Sequence, residues 1–156
     1  VDHVDLRLDP LGVEPVAELS RRMYGETIAH ITRNFPHWFC PTLATYATRV
    51  PELPIDQHQL LALVAPRVLH VGSAIDDRWA DPRGEFLSAR AADPVWTLLG
   101  QRGLGTETMP EVMRTVGARV RYHVRTGGHD INSHDWAQYL DTANANLRSA
   151  EALVKF

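Results

Sequence analysis

Cysteine is almost missing from this chain. Cys40 is the only one in 156 residues, so no intrachain disulfide can form, and the redox compartment is not legible from cysteine spacing. A lone thiol of this kind is expected in the core. Basic blocks are missing too: 16 Lys and Arg stand against 19 Asp and Glu, for a net charge of −3, which argues against a nucleic-acid partner. No apolar run approaches the roughly 20 residues that cross a bilayer, so no membrane partner is expected. Metal-ligand spacing is missing as well. His123, His129, Asp130, His134 and Asp135 crowd one stretch, but neither H-E-x-x-H nor paired C-x-x-C occurs, so no metal is expected. Gly100, Gly103 and Gly105 have no apolar strand before them and no helix start close behind. A phosphate-cradling loop needs both, and no cofactor is expected.

What is present is ordinary globular material: 44% hydrophobic and 22% charged residues, long enough for a single domain over residues 1–156. Residues 1–10 alternate loosely, as a strand would, and read as neither a signal nor a transit peptide. Near-helical apolar spacing predicts a helix over residues 16–33, weakened at Gly25. Residues 34–41 hold two prolines and three aromatics and predict a rigid loop rather than a regular element. A short helix follows over residues 42–50. Asp56 is placed to cap a helix through Val64 that buries Leu60, Leu61 and Val64. Pro66 stops it ahead of an apolar strand at residues 68–71. Asp81-Pro82 and Asp93-Pro94 each pair a cap with a first-turn proline and predict two helices. Phe86 and Leu87 would face inward on the first, and Val95, Leu98 and Leu99 on the second. Residues 119–125 alternate strictly, predicting a strand with one buried face near a sheet edge. Asn132 or Ser133 caps a last helix whose apolar stripe runs Trp136, Tyr139, Leu140, Ala143, Leu147, Ala150 and Val154. Helices alternating with strands make the class α/β.

The chemistry gathers at two strand ends. A short apolar run behind a proline reads as a buried parallel strand, and ligands of open α/β sheets sit beyond the carboxyl ends of such strands. Asp76, Asp77 and Trp79 stand there. Asp81 is better read as a helix cap, being followed by Pro82. Trp79 is either a lid on the core or a stacking platform for a sugar. In the later stretch Val124-Arg-Thr-Gly-Gly-His-Asp130, a strand runs into a Gly-Gly turn that projects His129. An acid after one strand and a histidine on a later loop is the Asp…His order of a hydrolase triad, with Asp77 holding the imidazole of His129. The serine that should precede both is not evident: Ser20, Ser73, Ser88, Ser133 and Ser149 all stand outside G-x-S-x-G or any similar elbow.

Leu19-Ser-Arg-Arg, Gly25-Glu-Thr, Phe35-Pro-His-Trp-Phe-Cys40 and residues 53–67 are followed by Asp76-Asp-Arg-Trp-Ala-Asp-Pro, Gly84-Glu-Phe-Leu, Leu98-Leu-Gly and Gly127-Gly-His-Asp130. In this order they resemble the C-terminal portion of glucuronoyl esterases, carbohydrate esterase family 15, over residues 18–147. The resemblance implies the C-terminal half of an α/β-hydrolase, a three-layer αβα fold with an incomplete sheet. It implies a serine-type carboxylic ester hydrolase that cleaves esters of 4-O-methyl-glucuronic acid in lignin-carbohydrate or xylan substrates. The G-C-S-R-x-G-K elbow of that family would lie upstream of residue 1. His129 corresponds to the catalytic base and Asp77 to the acid. Trp79 and Glu26 match substrate contacts, with Asn34 at a neighbouring contact position. The segment Leu11-Gly-Val-Glu-Pro departs from the family's alternative acid segment, which leaves Glu14 without that role. The implied partners are a glucuronate ester or glucuronoxylan and an N-terminal half, or a second copy, that completes the sheet. A secreted or periplasmic location follows by resemblance. The alternative is a non-catalytic carbohydrate-binding or structural remnant of the fold. In either case the strand at residues 68–71 would expose an edge, which is expected to be covered by a partner, by a second copy or by residues 1–9 added as a strand.

Overall fold

The computed structural model describes residues 25–147. The strand expected over residues 1–10, Glu14, the first part of the helix expected over residues 16–33, and Ala150 and Val154 all lie outside the described residues.

Helix α1 spans Ile28–Asn34. The Thr27 hydroxyl accepts from the His30 N–H at 3.2 Å, and the His30 ring reaches back to the Thr27 N–H, the reciprocal cap that starts a helix. The aromatic stretch expected to be an irregular loop contains one 3-10 turn, Pro36–Trp38, because Pro36 presets the first helical φ. Helix α2 covers only Pro41–Ala44. The longer helix expected over residues 42–50 gives way to turns and a second 3-10 element, Val50–Glu52. Cys40 is exposed, not a core thiol, since it precedes this short helix on the surface.

Helix α3, Gln57–Ala62, opens on Asp56, whose carboxylate accepts from the Gln57 N–H at 2.6 Å while Gln59 accepts from the Asp56 N–H at 2.9 Å. Leu61 and Val64 pack on the core, but Leu60 faces outward, because a helix this short turns only one narrow stripe inward.

Strand β1, Leu69–Ala74, leads into helix α4, Pro82–Leu98. Asp81 caps α4 as expected, accepting from the Gly84 N–H at 3.1 Å. The second helix expected at Asp93-Pro94 does not exist separately; α4 runs through Pro94. Asp93 is engaged elsewhere. Its Oδ1 accepts from the Leu104 N–H at 2.7 Å, and a Cβ on Gly103 would fall 1.4 Å from that oxygen. Beyond the proline, Trp96 is fully buried and donates its indole N–H to the Arg67 carbonyl at 2.9 Å. Burying a tryptophan is worth about 3–5 kcal/mol, enough to offset the ~3 kcal/mol of an interior proline. Leu98 and Leu99 are exposed rather than inward, Leu98 because it stands on the opposite side of the helix from Trp96 and Leu99 because it is the C-cap, where the helix ends.

Strands β2, Arg114–Gly117, and β3, Val120–Arg125, form a hairpin around Ala118 and Arg119. The sequence reading contains no β2. Gly117 takes φ +95°, and a Cβ there would meet the Val120 carbonyl oxygen at 1.9 Å. The sheet order is β1-β3-β2, with β1 parallel and β2 antiparallel to β3. β3 is therefore central, not an edge strand, and both its faces are covered.

One face packs on α4. Val120, Tyr122 and Val124 meet Phe86, Ala89, Ala92 and Trp96 in the buried cluster. Helix α5, Ser133–Leu147, covers the other face. Asn132 caps it, accepting from the His134 N–H at 2.8 Å, while Asp135 accepts from the Asn132 N–H at 2.9 Å. The apolar stripe expected on α5 faces the sheet only in part: the Tyr139 ring packs edge-on against His70 and His123, while Trp136 and Leu140 are more than half exposed, and Asp135 and Thr142 are buried. The sheet face beneath is itself polar, built of His70, Thr115, His123 and Arg125, and α5 turns toward it the side chains that can hydrogen-bond. Among the described residues β1 pairs with β3 alone and is an edge.

Candidate active site

β1 and β3 run parallel and end side by side, Ala74 opposite Arg125. Pairing continues past both ends. The Ile75 N–H donates to the Arg125 carbonyl at 2.8 Å and the Asp76 N–H to the Gly127 carbonyl at 3.1 Å, and the Gly127 N–H returns to the Asp76 carboxylate at 3.2 Å. Gly127 has φ +91°, a conformation glycine adopts without strain. Asp76 thus clips the two strand ends together. It is a fastener, a role the sequence reading left open.

Asp77 begins a tight turn. Its Oδ1 accepts from the Ala80 N–H at 3.3 Å, and its Oδ2 lies 2.7 Å from His129 Nδ1. The carboxylate side chain is 12% exposed and the imidazole 88% exposed. The two sequence-selected residues therefore meet, across 52 positions of chain, at the carboxyl end of the sheet.

Trp79 is 52% exposed. The Glu26 N–H donates to the Trp79 carbonyl at 2.8 Å, and the His30 ring lies 5.3 Å from the indole, tilted by 45°. Gly25, at φ +106°, lets the chain press against this turn: a Cβ would sit 3.3 Å from both the Trp79 carbonyl oxygen and Asp81 Cβ. Glu26 and Trp79 are thus neighbours. Asn34 is exposed at the far end of α1, and among the described residues no hydrogen bond joins it to Asp77 or His129.

Beneath the His129 loop lies a buried polar network with no counterpart in the sequence reading. Arg125 Nε donates to Asp135 Oδ2 at 2.6 Å, and His123 Nε2 lies 2.9 Å from Asp135 Oδ1. His123 Nδ1 is 2.9 Å from His70 Nε2, and His70 Nδ1 is 2.7 Å from the Thr142 hydroxyl. With Asp135 ionised, His123 donates from Nε2 and accepts at Nδ1 from His70 Nε2–H. His70 Nδ1 then accepts from the Thr142 hydroxyl, whose single proton is shared between this nitrogen and the Gln138 carbonyl 2.8 Å away. The chain closes with both histidines neutral. The electrostatics agree. Burial, reinforced by the charges of His123 and Arg121, lowers His70 to about 4. Burial also lowers His123, against the opposing pull of Asp135. Burial alone would raise Asp135, but hydrogen bonds from His123, the Asn132 N–H and Arg125 overcome it and hold the carboxyl below its usual value. One signal of this layer was legible: the alternation that made Val120, Tyr122 and Val124 a buried face places Arg121, His123 and Arg125 together on the other.

A family model, Glucuronyl esterase, fungi, matches residues 17–100. Carbohydrate esterase MZ0003, from an unknown prokaryotic organism, is 46% identical over 131 residues, covering 84% of this chain and 30% of that protein. The 4-O-methyl-glucuronoyl methylesterase of Hypocrea jecorina is 43% identical over 65 residues, covering 40% of this chain and 14% of the relative. Among solved structures, a glucuronoyl esterase from Solibacter usitatus superposes with a TM-score of 0.75 at 50% identity, covering 79% of this chain and 31% of the other. A promiscuous CE15 esterase from a marine bacterial metagenome gives 0.78 at 46% identity, covering 81% and 32%. The chain spans about 30% of the length of carbohydrate esterase MZ0003. With its mixed sheet, its strand-end site and these relatives, the chain belongs to the glucuronyl esterases, carbohydrate esterase family 15, and carries part of their α/β-hydrolase fold.

Proposed function

We propose that this chain supplies the base, the acid and part of the sugar-binding surface of a serine-type glucuronoyl esterase, with the nucleophilic serine provided by residues outside it. The observation that carries the reading is the 2.7 Å approach of His129 Nδ1 to Asp77 Oδ2 where two parallel strands end. Asp77 accepts a hydrogen bond from Nδ1–H and so fixes the tautomer whose Nε2 is a base. Nε2 takes the serine proton as the serine oxygen attacks the ester carbonyl. The imidazolium then returns that proton to the departing alcohol, leaving an acyl-serine. Water repeats the sequence: it loses a proton to Nε2, attacks the acyl carbon, and the serine leaves reprotonated. No metal or cofactor enters these steps.

The substrate class is esters of glucuronic acid, including its 4-O-methyl form as borne on xylan. Two features support it: the relatives' activities as named, and an exposed Trp79 beside Glu26 at the same mouth of the sheet. An indole face stacks on a pyranose while a neighbouring carboxylate accepts a hydroxyl. Glu26 is unsuited to the sugar's carboxylate, which it would repel. Asn34 is assigned a more peripheral contact.

The test is a fusion in which the preceding part of carbohydrate esterase MZ0003 is joined to this chain. It should hydrolyse benzyl glucuronate, and Trp79→Ala should raise KM by about tenfold or more, the loss of roughly 1.4 kcal/mol of binding, with kcat nearly unchanged. A folded fusion that binds the sugar but does not cleave it would favour a carbohydrate-binding role. An unchanged KM for Trp79→Ala would remove Trp79 from the substrate surface.

A further inference from the structure

The geometry points to Arg125 as the positioning residue for His129. The inference rests on reading His129 as the base, and concerns what holds that base in place. The His129 ring is 88% exposed and, among the described residues, has one hydrogen-bond partner, Asp77. A single water-exposed ion pair or hydrogen bond is worth about 0–1 kcal/mol, too little to hold a glycine-rich loop against its own entropy. Something else has to fix the backbone that carries the ring.

Arg125 does this from below. Its guanidinium is 4% exposed. Nη1 donates to the Thr126 carbonyl at 2.9 Å and the Gly128 carbonyl at 3.3 Å, and Nη2 donates to the Asp130 carbonyl. The Gly128 and Asp130 carbonyls flank His129 in sequence, so one rigid cation grips the peptide on both sides of the base. The Nε–H donates to Asp135 Oδ2 at 2.6 Å. Asp135 in turn is tied to the start of α5 through the Asn132 N–H and to the sheet through His123. The loop is therefore anchored to α5 and β3 through a guanidinium fork. Lysine cannot reproduce it, because an ammonium lacks the planar set of donors. A Cβ on Gly127 would lie 3.3 Å from Nη1, so the Gly-Gly turn also leaves room for the fork. Asp76 holds the outer side of the same loop, and between them the ring is left free to meet Asp77.

The experiment uses this chain with 15N-labelled histidine and reads the side-chain nitrogens by NMR at about pH 8, where an ordinary histidine is neutral. The wild-type His129 should show one tautomer, protonated at Nδ1, and Asp77→Asn should release it. Arg125→Lys keeps the charge beside Asp135 and removes the fork. Arg125→Met with Asp135→Leu removes both buried charges together. In either variant, with the His70 signals still native-like, loss of the locked Nδ1–H form of His129 to a mixture of tautomers is the expected result. A folded variant whose His129 stays locked would overturn the inference. Unfolding of both variants would also overturn it, since Arg125 would then hold the core and not the loop. Restoration of the lock in neither Lys nor Met but only in the native Arg separates positioning by the fork from a general charge effect. The tautomer is read without turnover, so its behaviour and any failure of the esterase fusion are separate results.

Discussion

The two faces of the central sheet are built from opposite materials. Toward α4, Val120, Tyr122 and Val124 meet Phe86, Ala89 and Trp96, and the polar atoms there are few and local: Tyr122 donates to the Pro82 carbonyl at 2.8 Å, and Ser73 to Glu85 at 2.6 Å. Toward α5, hydrogen bonds dominate, with the Tyr139 ring set edge-on against His70 and His123. Thr115 donates to Gln138 at 2.6 Å, Arg119 to Asn146 at 3.1 Å, and His70, His123 and Arg125 form the network on Thr142 and Asp135. An apolar face gains stability in proportion to the area removed from water and tolerates some sliding. A hydrogen-bonded face gains little net stability per contact but admits one arrangement, because each unmet partner is costly. The face that fixes geometry lies under the loop bearing His129, and the face that supplies bulk stability lies away from it.

The largest effects should come from breaking each face once. Trp96→Ala and Asp135→Ala are each expected to cost about 3–5 kcal/mol, the first through a cavity and the second by stranding the buried Arg125 charge. Urea denaturation measures both. A cost for Asp135→Ala below about 1 kcal/mol would show that water reaches the network. Next in size, Arg125→Met with Asp135→Leu should cost less than Asp135→Ala alone, about 1–3 kcal/mol, what remains being the His123 and Asn132 N–H groups left without Asp135 and the loop carbonyls left without Arg125. A double variant that costs more than the single one would mean the pair is a net source of stability.

The faces should also separate by pH. His70 sits at about 4 in the folded chain against an ordinary 6.5, and His123 is lowered as well. An unfolded chain takes up these protons first, so unfolding gains up to two protons in that window and stability falls as pH drops through it. Asp135, also lowered, holds its contribution above the unfolded carboxyl value and loses it below, in the same direction. Urea midpoints taken from pH 7 down to 4.5 should therefore fall in the wild type, and fall less steeply in His70→Gln. The decrement caused by Trp96→Ala should stay constant across that range, because no titrating group is involved. A wild-type midpoint that does not move would place both histidines in solvent. The smallest expected effect is Thr142→Val, about 1 kcal/mol for one lost hydroxyl, read in the same assay.

Sequence made the strand-end site of this unit legible because the signals there are local. Pro66 and the short apolar run fix β1, Asp81-Pro82 fixes the start of α4, and a Gly-Gly turn before His129 can only be a projecting loop. The pairing of His129 with Asp77 follows once the two strands are parallel neighbours. The α5 face was legible only at Tyr139, because nothing in Trp136, Leu140 or Ala143 says that the helix turns Asp135 and Thr142 inward. That choice is made by His70, His123 and Arg125 on the strands below, a tertiary match that periodicity within one helix does not carry. β2 escaped for a related reason: Arg114-Thr-Val-Gly has one strong apolar position, and its pairing depends on the tight turn at Gly117. Pro94 misled because its local rule holds only when Asp93 is free to cap, and Asp93 is bound to the Leu104 N–H.

The measurement that tests the central claim most directly is the steady-state kinetics of His129→Ala in the esterase fusion, with benzyl glucuronate as substrate. The account predicts that kcat falls about a thousandfold while KM stays within about twofold, since the base is removed and the sugar contacts remain. A kcat within about tenfold of the parent fusion would contradict it and would place the base on another residue.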